Sequence, residues 1–163
     1  MQTLAATLSL TGLSPAEIQE IQAEFRHYPK KAAVSVEALK IVQKHRGWVS
    51  DASLTAVADL LEIPPAQLEA VATFYNLIYR QPVGNTVIHI CNSVSCWLMG
   101  GDRFRERLCQ TLRVELGEMS ADGKYTVLPI VCLGACDHAP VAMLGDELLL
   151  NVNENSVDWV LGR

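Results

Sequence analysis

Four of the five cysteines in this 163-residue chain stand in two close pairs, Cys91-x4-Cys96 and Cys132-x3-Cys136. Thiolates grouped in this way hold zinc, hold an iron–sulfur cluster, or exchange electrons as a dithiol. The three chemistries ask for different spacings. Zinc loops favour C-x2-C knuckles at both ends and redox dithiols favour C-x-x-C, and neither pair has that form. A 2Fe–2S cluster wants four thiolates, two for each iron. Spacing therefore favours a 2Fe–2S cluster on Cys91, Cys96, Cys132 and Cys136, with a structural zinc and thiol redox as the alternatives. On this reading Cys91 and Cys96 take one iron, and Cys132 and Cys136 take the other.

The neighbours of the pairs suit a cluster. Gly134 lies inside the second pair and Gly100-Gly101 follow the first, so backbone N–H groups can approach sulfur with no Cβ in the way. Val94, Trp97, Leu98, Met99 and Leu133 are expected to shield the site from water. No Lys or Arg occurs in 91–101 or 132–140, while Asp102 and Asp137 stand just beside the pairs. An anionic cluster in apolar, acid-flanked surroundings resists gaining an electron, so a low reduction potential is expected. Hydroxyls of Ser93 and Ser95 would act in the opposite sense through hydrogen bonds to sulfur.

Other chemistry-bearing residues read more plainly. Cys109 falls on a helical apolar flank with Leu112 and Leu116, where a small thiol packs as core. His27, His45, His89 and His138 are scattered; His138 reads as a loop histidine near the site, since four thiolates leave no position for it. Trp48 and Trp159 read as packing residues, and Trp97 as one that covers the cluster or meets a partner. Lys30-Lys31 and Arg103, Arg105 and Arg107 read as solvated faces. No G-x-G-x-x-G accompanies the first strand, so a nucleotide site in this chain is not expected.

The elements that must position the cysteines divide near Pro82-Val83-Gly84-Asn85. Before that point the pattern is helical. Ser14-Pro15-Ala16-Glu17 is a capping box with proline at the first helical position, and Ile18, Ile21 and Phe25 follow on one face up to Pro29. A second helix is expected over Val34–Arg46 with Val34, Ala38, Ile41 and Val42 inward and Gly47 closing it. A third is expected over Ser53–Leu61, and a fourth over Ala66–Ile78 after Pro64-Pro65. After the divide, Thr86–Ile90 reads as a strand running into Cys91. Asp102–Leu116 reads as a helix with Phe104, Leu108, Leu112 and Leu116 inward, and Tyr125–Val131 as a strand ending at Cys132. Val141–Leu144 and Glu147–Asn151 flank the hairpin signal Gly145-Asp146, and Ser156–Leu161 reads as a last short helix. Parallel neighbouring strands would bring both cysteine loops to one edge of the sheet. The expected architecture is a helical bundle over 1–81 followed by a layered α/β domain over 82–163.

Composition sets the outer bounds. Half the residues are hydrophobic and 19% are charged, which supports a core without disulfide staples. Eighteen acidic residues against thirteen basic ones give a net charge of −5, which argues against nucleic acid as a partner. No apolar run approaches the roughly 20 residues that span a bilayer. Met1–Gly12 is mildly apolar but lacks a basic n-region and a clear cleavage site, and reads as a loosely ordered lead-in. A soluble, cytoplasmic protein is expected, in which grouped cysteines point to metal or redox chemistry rather than disulfides.

The two cysteine segments, Cys91-Asn92-Ser93-Val94-Ser95-Cys96 and Cys132-Leu133-Gly134-Ala135-Cys136, resemble the thioredoxin-like 2Fe–2S ferredoxin family. Its best-known member is the 24-kDa-type subunit of respiratory complex I. The segment from Glu37 to Val49 and Val71-Ala72-Thr73-Phe74-Tyr75 are similar to the family's helical N-terminal part. Gln81-Pro82-Val83-Gly84 and Leu128-Pro129 are similar to its bacterial complex I version. The resemblance runs from about Leu13 to the C-terminus. It implies an α/β, thioredoxin-like 2Fe–2S domain preceded by a small helical bundle, with one 2Fe–2S cluster on the four cysteines named above. It further implies an electron-transfer subunit of NADH:quinone oxidoreductase, exchanging electrons with the FMN of a partner NADH-binding flavoprotein that the N-terminal helices contact. Such a subunit has no NADH or FMN site of its own, meets other peripheral-arm subunits, and sits on the cytoplasmic side of the plasma membrane through the complex. The same resemblance covers diaphorase subunits of NAD-reducing hydrogenases and NAD-dependent formate dehydrogenases. A zinc-stabilised interaction module remains the reading outside the family.

Overall fold

The computed structural model describes residues 12–163; the lead-in read from sequence lies outside the described residues but for Gly12. The chain divides into two units at Pro82/Val83.

The first unit is helical. Helix α1 (Pro15–Glu24) starts at Ser14, whose Oγ accepts from the Glu17 N–H at 3.3 Å while Glu17 Oε2 accepts from the Ser14 N–H at 2.6 Å. Both halves of the capping box are thus present. α2 (Ser35–Arg46) ends at Gly47, whose left-handed backbone closes it. Val34, Ala38 and Val42 are buried as the pattern requires, Leu39 joins them, and Ile41 is half-buried. α3 (Asp51–Leu61) begins two residues before the expected start, because Ser50 caps it by accepting from the Ser53 N–H at 3.1 Å. α4 (Pro65–Phe74) stops short of Ile78. Its end is decided from α2: Gln43 donates to Leu77 O at 2.8 Å and accepts from the Tyr79 N–H at 2.6 Å. Those bonds hold residues 77–79 on a non-helical path, and Ile78 is still buried. A core of Ile21, Leu39, Val42, Val57, Leu61 and Leu68 joins all four helices.

The second unit is built on a four-stranded sheet, ordered β2-β1-β3-β4. β1 (Thr86–Cys91) lies parallel to β2 (Tyr125–Ile130), with Thr86 opposite Tyr125 and Cys91 opposite Ile130. β3 (Ala142–Leu144) is antiparallel to β1 and turns through Gly145-Asp146 into β4 (Glu147–Leu149). Between β1 and β2 come two helices. α5 (Val94–Leu98) was not legible in the sequence pattern, because five residues are too few for a periodicity to register. α6 (Gly101–Leu112) packs Phe104 and Leu108 on Ile88, Ile90 and Val127 of the sheet. It ends before Leu116 because Arg113 adopts a left-handed conformation and its backbone N–H donates to Cys109 O and Gln110 O. Leu116, expected inward, is therefore exposed. α7 (Val157–Leu161) closes the unit, with Val157 and Val160 buried in the same core. Among the described residues no helix is long and apolar enough to cross a membrane.

Candidate metal centre

Parallel pairing of β1 with β2 sends the two following segments off the same edge of the sheet. Cys91 is the last residue of β1, and Cys132 follows two residues after its partner Ile130. Cys96 is the buried residue of α5, and Cys136 opens the 3-10 turn Cys136–His138. The structure thus brings together all four cysteines named from spacing, on a strand end, a helix, a loop and a turn rather than on two plain loops.

The thiols come as two pairs. The Cys132 and Cys136 Sγ atoms are 3.3 Å apart, and the Gly134 N–H donates to Cys132 Sγ at 3.4 Å. Gly134 has φ +86°, a conformation that L side chains rarely adopt. The Cys91 and Cys96 thiols act on one another electrostatically, and Ser93 Oγ lies 3.3 Å from Cys91 Sγ. The two segments face one another across the site, since Leu133 influences the Cys91 thiol, Ser93 that of Cys132 and Ser95 that of Cys136. Within each pair one thiol is shifted down and one up. Burial alone would raise Cys91, but hydrogen bonds from Ser93 and the Leu133 N–H outweigh it and lower the thiol; burial and the neighbouring Cys91 raise Cys96. The Gly134 N–H, then Cys136, lowers Cys132, while that neighbour raises Cys136.

Burial divides the pairs. Cys91 and Cys96 are buried over Ala139 and Val141, with Leu133 and Ala135 packed alongside, while Cys132 and Cys136 are exposed. The expected shield is different. Val94, Trp97, Leu98 and Met99 are each about 60–70% exposed, because Cys96 takes the inward position of α5 and turns its apolar neighbours outward. Leu133 alone of the expected shield packs against the site. Arg105, read from sequence as solvated, lines a cavity of about 280 Å³ with Cys91, Trp97 and Pro129, and pairs with Asp102 at 2.8 Å. Its signal was the Asp102/Arg105 i,i+3 spacing, which gives a pair on any helix and so says nothing of the cavity. His138 Nε2 sits 3.4 Å from Asp137 Oδ2. Cys109 is half-buried against the core of the second unit, and burial raises its thiol.

The donor set fits a two-iron cluster. Four soft thiolates in two pairs match two irons with two ligands each. Among the described residues no three His, Cys, Asp or Glu side chains stand close enough to hold one metal ion, so the fit rests on the donor chemistry of the two pairs. The backbone is shaped to the same end. A Cβ on Gly101 would stand 2.8 Å from Cys96 O, so only glycine lets the start of α6 lie against the Cys96 backbone.

A family model for thioredoxin-like 2Fe–2S ferredoxins matches residues 21–163. The chain is 43% identical over 149 residues to an NADH-quinone oxidoreductase subunit of Pseudomonas aeruginosa, covering 91% of this chain and 90% of that protein. It is 43% identical over 151 residues to the protein of the same name from Escherichia coli, covering 93% and 91%. The fold is similar to a chain of an NAD+-reducing NiFe-hydrogenase solved in the H2-reduced state, with a TM-score of 0.63 at 22% identity. That match spans 76% of this chain and 21% of the hydrogenase chain, and it is a likeness of fold alone.

Proposed function

The chain belongs to the thioredoxin-like 2Fe–2S ferredoxin family, and from that premise we propose that it is the 24-kDa-type, electron-carrying subunit of an NADH-quinone oxidoreductase. Cys91 and Cys96 hold one iron, and Cys132 and Cys136 hold the other. When bound, a 2Fe–2S cluster takes up and gives back one electron at a time. The observation that supports this reading best is the meeting of two thiol pairs beyond the shared edge of β1 and β2.

The chain's own residues shape that chemistry. Ala139, Val141, Leu133 and Ala135 keep water from the buried side of the site. The Gly134 and Leu133 N–H groups give sulfur fixed partial positive charge. Asp102 and Asp137 oppose added negative charge, although Arg105 neutralises Asp102, so the potential is expected to be low. The outward Val94, Trp97, Leu98 and Met99 form an apolar collar beside the thiols. A collar of this kind seats a protein partner, here the flavoprotein that binds NADH and FMN. The oxidoreductase relatives at 43% identity over nine-tenths of their length rank this assembly above a hydrogenase or formate dehydrogenase.

Purification from native membranes tests the proposal. The expected result is a red-brown protein with about two irons and two acid-labile sulfides per chain, co-purifying with a flavoprotein. A colourless chain holding one zinc would overturn the cluster assignment. A loaded chain whose neighbours are hydrogenase subunits would overturn the assembly and leave the cluster intact.

A further inference from the structure

We propose that Ser93 positions the thiolates and raises the reduction potential of the site, by turning its hydroxyl from helix capping to sulfur. The proposal rests on the 2Fe–2S reading above. Ser93 occupies the N-cap position of α5 with φ −75° and ψ 164°, yet its side chain makes no capping bond. Ser50, with the same φ and ψ, caps α3 through the Ser53 N–H, and Ser14, at φ −77° and ψ 157°, caps α1. The backbone at Ser93 is therefore set for a cap that the hydroxyl does not make. Its Oγ lies instead 3.3 Å from Cys91 Sγ. The direct contact of this hydroxyl is thus with Cys91, the buried thiol at the end of β1.

A hydroxyl at that point donates to a thiolate, and the bond strengthens as negative charge on sulfur grows. Negative charge on the sulfurs is greater after one-electron reduction, so the Ser93 donor favours the reduced state. It also fixes the Cys91 thiol relative to the start of α5 before iron arrives. Ser93→Val removes the donor and Ser93→Thr keeps it, and the two variants match each other in shape because each adds one branch at Cβ relative to serine.

The test uses the full chain of each variant, reconstituted with ferrous iron and sulfide and titrated with redox mediators under EPR detection. Ser93→Val is expected to favour the oxidised form by roughly tenfold, a midpoint about 59 mV lower for a one-electron couple. Ser93→Thr is expected at the wild-type midpoint, and Ser95→Ala between the two. Should Ser93→Val fold by circular dichroism yet fail to load iron while Ser93→Thr loads, the positioning role stands. Equal midpoints for Ser93→Val and wild type, or equal loss of loading in Ser93→Val and Ser93→Thr, would overturn the proposal. Wild-type protein that binds no 2Fe–2S cluster would instead defeat the functional reading beneath it.

Discussion

Gly101→Ala sets two physical effects against each other at the base of the site. Gly101 is the first residue of α6, and it has an ordinary helical backbone, not a left-handed one. Alanine would therefore be expected to stabilise, by up to about 1 kcal/mol of helix propensity. The structure reverses that sign. The added Cβ would meet Cys96 O at 2.8 Å and Cys96 C at 3.3 Å, and both are backbone atoms that cannot swing aside. Overpacking of this kind costs about 1–3 kcal/mol, which after the full propensity gain leaves a net loss of up to about 2 kcal/mol. For a unit of this size each kcal/mol lowers Tm by roughly 4–8 °C. Relief requires α5 and α6 to separate, which moves Cys96 relative to Cys91. The cluster should then be lost faster to an iron chelator, followed by visible absorbance. Gly123→Ala is the control, because it combines φ +71° with no atom within 4 Å, and incurs backbone strain of about 1–2 kcal/mol away from the thiols. If Gly101→Ala releases iron no faster than Gly123→Ala at equal loss of Tm, the packing argument fails.

Three further outcomes follow from the same geometry. Glu17 is buried, and although burial alone would raise its carboxyl, hydrogen bonds from Arg46 and Ser14 overcome this and hold it at about 2 against an ordinary 4.5. That depression stabilises the folded state by roughly 3 kcal/mol above pH 5 and is lost as pH falls from 4.5 toward 2; urea denaturation of Glu17→Gln should show lower stability at pH 7 and a flatter acid limb, and an acid limb as steep as wild type would refute the assignment. In cluster-free chain, brief exposure to oxidised glutathione should close Cys132 and Cys136 into a disulfide before Cys91 and Cys96 react, since the first pair is exposed with its sulfurs 3.3 Å apart and the second is buried; equal rates in peptide mass analysis would contradict the burial difference. Leu98→Glu places a charge on a side chain that is 70% exposed, so it should leave iron content and Tm near wild type while weakening co-purification with the flavoprotein at least tenfold; undiminished co-purification would remove the collar from the docking surface.

Much of this protein was legible in residue order because the relevant signals are local. The capping box at Ser14–Glu17, the stop at Gly47, the strand running into Cys91 and the Gly145-Asp146 turn each depend on a few neighbouring residues. The cysteine spacing likewise proposed a ligand set, and the cysteine segments together with the motifs of the helical part carried the resemblance to the family, since these too are runs of neighbouring residues. The rest depended on groups distant in sequence. Gln43 ends α4 from another helix, Arg46 gives Glu17 a second role beyond its cap, and Gly101 is required by the backbone of Cys96. The division into a buried and an exposed thiol pair, and the aim of the Ser93 hydroxyl at sulfur, arise from how β1, β2 and α5 pack. A chain records which groups are present and at what interval; which of them stand within bonding distance is settled when the fold closes, because those contacts are made through space.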